Sequence, residues 1–196
     1  MKKTFLAVAM LLSVFSMNAQ ESSDNDTTPK KHEISTNLLD LVVAGSLTVN
    51  YERLFEKNQS LMVGATFFDT YGYYDSGYIN NNTTFSVKAA YLIYFSKDKD
   101  HEGFYFFPQL KFRTGEITVE DGYSYYDNEI DMYIEEERTY DLSGVSAGFG
   151  IGHKWMFSNK FTLSVNTDVS RNLGNFDDDY LDDVELRLGV NFGYRF

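Results

Sequence analysis

Cysteine is absent from the 196 residues. That excludes a disulfide scaffold and also the acylated cysteine of a lipoprotein anchor. Long apolar runs are missing too. The longest, residues 4–15, is too short to cross a bilayer as a helix. Basic residues are scarce, with 17 Lys and Arg against 29 Asp and Glu, and this imbalance argues against a nucleic-acid partner. Histidine occurs three times and proline twice. What remains abundant is aromatic residues, 17% of the chain, and 14 glycines.

Residues 1–19 have the layout of a secretory signal peptide. Lys2 and Lys3 precede the apolar stretch, and Ser16, Met17, Asn18 and Ala19 offer a cleavage site before Gln20. Removing the signal takes those two lysines away and leaves 15 basic residues, so the exported chain is near −14. Residues 20–32 are polar, with Thr-Thr-Pro within them, and read as a disordered periplasmic tether. Residues 33–196 form the remaining domain, of a length that fits one unit.

Within that domain the dominant signal is period-two alternation, the mark of strands with one apolar and one polar face. It is clearest at the C-terminus, where Val184, Leu186, Leu188, Val190, Phe192, Tyr194 and Phe196 alternate with Glu185, Arg187, Gly189, Asn191, Gly193 and Arg195. Eight strands are predicted, over 33–43, 47–54, 60–68, 83–95, 103–115, 142–156, 160–170 and 184–196. Pro108 cannot donate a ladder hydrogen bond, so a bulge or local defect is expected in the fifth. Tight polar turns at 55–59, 96–102 and 157–159 alternate with long connections at 69–82, 116–141 and 171–183. Only the first connection, 44–46, is short where a long one would fit. An all-β, eight-stranded antiparallel up-and-down transmembrane barrel with both termini in the periplasm has this pattern, with short inner turns and longer outer loops. A soluble ligand-binding barrel is the main competitor, but it would carry its apolar row inside and a charged row outside. Here the non-apolar row is rich in glycine, serine and asparagine, which suits a cramped interior. Ile117 and Val119, with Ile130, Met132 and Ile134 on the return, extend the fifth and sixth strands into a projecting ribbon with an acidic tip.

The chain resembles the small outer-membrane β-barrels of Gram-negative bacteria, the OmpX and OmpA-barrel type. More closely, it resembles a family of short exported barrels of unknown function. The resemblance rests on Tyr51-Glu52-Arg53, Gly103-Phe104-Tyr105, Gly150-Ile151-Gly152-His153-Lys154-Trp155 and the terminal Asn191-Phe192-Gly193-Tyr194-Arg195-Phe196. These motifs build barrels and supply no catalytic residues. Tyrosine is expected in such relatives where His153 stands. The resemblance implies location in the outer membrane, lipid as surroundings, and recognition of Tyr194 and Phe196 as an assembly signal by the barrel-assembly machinery.

Four sets of residues could carry function. The first is the charges on the polar rows: Glu52, Lys88, Lys111, Arg113, Lys154, Asp168, Glu185, Arg187 and Arg195. Side chains fill an eight-stranded barrel, and buried ions must be paired, so a salt-bridged plug is expected rather than an ion path or proton relay. The second is the histidines. A lipid A-modifying enzyme needs a base beside its nucleophile near the outer leaflet, yet the strand order puts His32, His101 and His153 at the inner end. No enzymatic activity, cofactor or metal is expected. The third is a girdle of Phe55, Tyr94, Phe95, Phe104, Trp155, Phe157, Tyr194 and Phe196 at the periplasmic interface. The fourth is the loops. Residues 120–141 hold nine acidic residues and one base, Arg138, among Tyr123, Tyr125, Tyr126, Tyr133 and Tyr140. Such a surface could contact an extracellular protein or surface ligand or take divalent cations, and without EF-hand spacing the cation reading is weak.

Overall fold

The computed structural model describes residues 30–70, 79–96, 100–127, 132–158, 160–173 and 183–196, with side chains outside 120–136. The signal peptide and most of the tether, the ribbon tip, and the acidic run at 177–182 lie outside the described residues.

Eleven strands are present among them: β1 (His32–Asn37), β2 (Leu47–Phe55), β3 (Gln59–Phe67), β4 (Ile79–Asn82), β5 (Phe85–Tyr94), β6 (Gly103–Thr114), β7 (Glu116–Asp127), β8 (Met132–Asp141), β9 (Gly144–Phe157), β10 (Phe161–Asn172) and β11 (Val184–Arg195). Eight of them close into an antiparallel barrel in the order β1-β11-β10-β9-β6-β5-β3-β2. Closure is made by the chain's two ends. Ile34 pairs with Tyr194 and Asn37 with Asn191, and His32 and Phe196 exchange backbone hydrogen bonds of 3.0 and 2.8 Å. A closed barrel leaves no unpaired edge.

The rows face as alternation requires. Val184, Leu186, Leu188 and Phe192 of β11 are exposed, whereas Glu185, Arg187 and Arg195 are buried. On β6, Phe104, Leu110 and Phe112 point out while Lys111 and Arg113 are buried. On β9, inward Gly150 and Gly152 make room for rings from β6. A Cβ on Gly150 would run into Phe107 and lie 2.6 Å from the Thr167 carbonyl, and one on Gly152 would meet Tyr105.

Three details depart from the sequence-based expectation, and one meets it. β1 stops at Asn37, not Val43, and residues 40–44 form a single wide helical turn closed by left-handed Gly45. The Asn37 amide oxygen accepts from Leu39 N at 3.1 Å and so turns the chain out of the ladder. The first connection is therefore long, like the other loops at its end. Pro108 brings the local defect expected of it, without a bulge. The β5–β6 ladder lapses between the pairs Ala90–Gln109 and Ile93–Phe106 and resumes in step. Tyr94 belongs to the interior rather than the girdle, being 5% exposed with its hydroxyl donated to Glu52.

The third departure is an additional ribbon strand. β4, β7 and β8 form their own sheet beyond the barrel rim, continuing the order β5-β6-β9 beneath them. The change of sheet occurs at Gly115, whose φ is 110° and whose added Cβ would lie 2.7 Å from Thr83 O. Only glycine accepts that backbone in that space. Ile117, Val119, Tyr140 and Leu142 bury one another, with Ile79 packed on them, giving the ribbon a small core of its own.

Candidate functional site

The interior is the chemically distinctive part of the molecule. It holds six cations, Lys88, Lys111, Arg113, Lys154, Arg187 and Arg195, and six carboxylates, Glu33, Asp40, Glu52, Asp69, Asp168 and Glu185. Their formal charges cancel. All nine sequence-predicted interior charges are among them, and the structure sorts them into three levels.

At the end that carries the termini, Lys154 Nζ lies 2.9 Å from Glu33 and 2.6 Å from Glu52. Arg195 grips the other oxygen of Glu33 at 3.0 Å. Ser60 and Tyr94 donate to Glu52 at 2.5 and 2.7 Å, and Thr162 donates to Glu33 at 2.9 Å. Every carboxylate there has a cation and at least one hydroxyl or second cation, so the desolvation of the ions is offset by several short contacts.

Midway, Gln109 donates to Asp168 at 2.6 Å, and Lys88 stands 3.8 Å from the same carboxylate. Lys88 also lies 6.0 Å from the centre of the Phe107 ring. Here a cavity of ≈ 50 Å³ remains, lined by Asn50, Lys88, Phe107, Asn166 and Asp168 among others. A space of that size admits a few waters and no larger solute.

At the loop end, Asp69 and Glu185 are shared among three cations. Lys111 and Arg113 approach Asp69 at 2.9 Å each, and Arg187 does so at 2.8 Å. Glu185 meets Arg113 at 2.8 Å, Lys111 at 3.2 Å and Arg187 at 3.5 Å. Asp69 is not on a barrel strand. It follows Phe68, whose positive φ of 58° bends the chain inward over the rim, and its backbone carbonyl accepts from the Thr84 hydroxyl. Thr70, 1% exposed, accepts from Arg187 at 3.2 Å through its carbonyl. The mouth is thus stopped by a piece of loop.

Sequence reasoning missed Glu33, Asp40 and Asp69. Glu33 shares parity with the inward Ser35 and Asn37 and was readable. Asp40 was placed on a strand that had already ended, and Asp69 on a loop, where alternation carries no information.

The histidines gather at the terminus end. The His101 ring nitrogen lies 3.1 Å from Gln59 O and its ring contacts Tyr94 edge-on. His153 packs between Phe104 and Trp155, at 4.6 and 4.3 Å between ring centres. His32 contacts Tyr51 and Arg53. Among the described residues none of the three has a serine or carboxylate partner of the kind a hydrolytic base uses. Among the loop acids with described side chains, Asp141 accepts from Ser143, whose side-chain and backbone hydrogen bonds hold its carboxyl below the usual range.

No protein-family model and no curated protein matches the chain. Among solved structures it is similar to the N-terminal β-barrel domain of Pseudomonas aeruginosa OprF. That match has 10% identity and a TM-score of 0.44, covering 85% of this chain and 98% of that one. It is also similar to Neisserial surface protein A, at 10% identity and a TM-score of 0.43, covering 84% of this chain and 93% of that one. Both neighbours are barrels, and a likeness this distant decides nothing about partner or activity.

Proposed function

We propose that this chain is a non-enzymatic outer-membrane barrel with a closed interior, whose role is to hold an acidic, tyrosine-rich ribbon outside the cell for surface contacts. The observation that carries this reading is the inverted polarity of the barrel. A belt including Phe104, Phe149, Ile151, Leu186 and Leu188 faces outward while a dozen charges are enclosed. In water that arrangement would expose a large apolar surface and bury ions at a cost. In a bilayer the same belt is solvated by acyl chains, and the closed ladder satisfies the backbone.

Orientation follows from the connections. Tight turns lie at the end with the termini, and the ribbon and long loops lie at the other, which is the extracellular end in barrels of this kind. Among the described residues the ribbon's outer strand β8 borders only β7 within its sheet, so that edge suits strand addition by a partner protein. The partners of biogenesis are the assembly machinery, through Tyr194 and Phe196, and membrane lipid.

Cell fractionation combined with heat-modifiable gel migration tests the reading. The protein should remain in the outer-membrane pellet after a salt wash and migrate differently when boiled. Release by salt, without a heat shift, would return the chain to the soluble barrels.

A further inference from the structure

Among the described residues, one charge on the lipid-facing rows of the barrel has no counter-ion, and it sits in a built setting. Tyr51, Arg53 and Phe55 share the outward row of β2 and are all exposed. The other outward base on a barrel strand, Arg171, is paired with Asp183 at 2.8 Å at the loop end. Arg53 instead donates to the His32 ring nitrogen at 2.8 Å, and the opposite ring nitrogen of His32 meets the Tyr51 hydroxyl at 2.6 Å. The His32 ring stacks on Phe196 at 5.7 Å between centres. Among the described residues no carboxylate pairs with Arg53.

We infer that Arg53 forms a binding site on the lipid-facing wall for the phosphate of an anionic glycerophospholipid of the inner leaflet. The inference rests on the membrane reading above. The position fits the ligand. Arg53 pairs with Leu61 and stands two residues before the end of β2, roughly 7 Å from the strand's end at about 3.3 Å per residue, which is headgroup depth. Below it the row continues as Tyr51 and Val49, a surface for an acyl chain. The chemistry fits too. A guanidinium has five N–H donors in a planar fork, and one contact to His32 leaves most of them for a phosphodiester.

His32 and Tyr51 act as positioning residues. They hold the guanidinium against the wall through a chain of hydrogen bonds backed by the terminal phenylalanine. A base with no carboxylate partner among the described residues favours a headgroup of net negative charge over a zwitterionic one.

The test uses the full mature chain folded in detergent micelles, with phosphatidylglycerol or phosphatidylcholine added and retained lipid counted by native mass spectrometry. Wild type should retain phosphatidylglycerol in preference to phosphatidylcholine. Arg53→Gln should lower that preference about fivefold, the worth of one base near an anionic surface. Arg53→Lys should keep part of it, and Arg171→Gln at the far rim should leave it unchanged. Heat-modifiable migration of each variant reports folding separately, so loss of lipid preference in a folded barrel is distinguished from failure of the membrane reading. Equal lipid retention by wild type and Arg53→Gln would overturn the site. So would inorganic phosphate abolishing the preference at millimolar concentration, since the site would then belong to a free anion.

Discussion

Lys154 is the residue whose removal is most informative. It is enclosed with Glu33 and Glu52, at 2.9 and 2.6 Å, and neither carboxylate can reach bulk water. Lys154→Met should destabilise the barrel by about 3–5 kcal/mol, the usual cost of leaving buried charges without their partner. Adding Glu33→Gln and Glu52→Gln should recover much of that loss, because the unpaired charges disappear with the lysine. Urea unfolding of the barrel in lipid vesicles reads both. A triple variant no more stable than the single one would mean that local packing, and not charge, is what Lys154 supplies. On the outer face, Val165 pairs with Val190 near the middle of β10 and β11. Val165→Arg should cost about 2–4 kcal/mol in the same assay. Ser164→Ala, one residue away and facing in, should cost far less, and equal costs would invert the assigned faces.

The ribbon is an element with its own support. Its cluster of Ile117, Val119, Tyr140 and Leu142 lies within four residues of the Gly115 kink on either arm, and the ladder from Glu116–Asp141 to Val119–Arg138 closes it from below. Deleting residues 120–137 and joining the arms by a short turn should therefore leave a folded, heat-modifiable barrel. Protease added to intact cells should cut within 120–137 and spare the barrel strands. Cleavage at residues 96–102 instead would place the turn end outside and reverse the orientation. The turn end is itself tied together: Asn58 donates to Ser96 O at 2.7 Å and accepts from His101 N at 2.9 Å.

At the scale of the whole molecule the balance of six cations and six carboxylates decides what the lumen can do. A conducting barrel needs a continuous wet path, whereas here both ends are closed by charge clusters with contacts near 3 Å. Planar-bilayer recordings of the purified protein should show no sustained open channel. Asp69→Ala removes the loop carboxylate that stops the mouth and leaves Lys111, Arg113 and Arg187 with Glu185. If any variant conducts it should be this one, and its pore should favour anions. Steady conductance by wild type would contradict the plug.

Alternation by itself determined the architecture, because which face a strand residue occupies is a local property of a pleated backbone. From parity alone the sequence yields the apolar belt, the polar lumen and the members of the charge set on β2, β5, β6, β9, β10 and β11. Turn chemistry supplies the strand count and the alternation of short and long connections. Tertiary structure decided who meets whom. Lys154 and Glu33 are 121 positions apart and come together only because β1 closes against β11 and the strands are staggered around the barrel. It also decided where the ladder yields to other demands. Asn37 ends β1 by bonding the chain ahead of it, Gly115 redirects β6 into a second sheet, and Asp69 leaves its loop to complete a cluster of cations. The Asn37 turn is local in its bond to Leu39 and is also held by the Val190 amide of β11, whereas the outcomes at Gly115 and Asp69 depend on space and charge contributed by distant strands, and no window of sequence contains those.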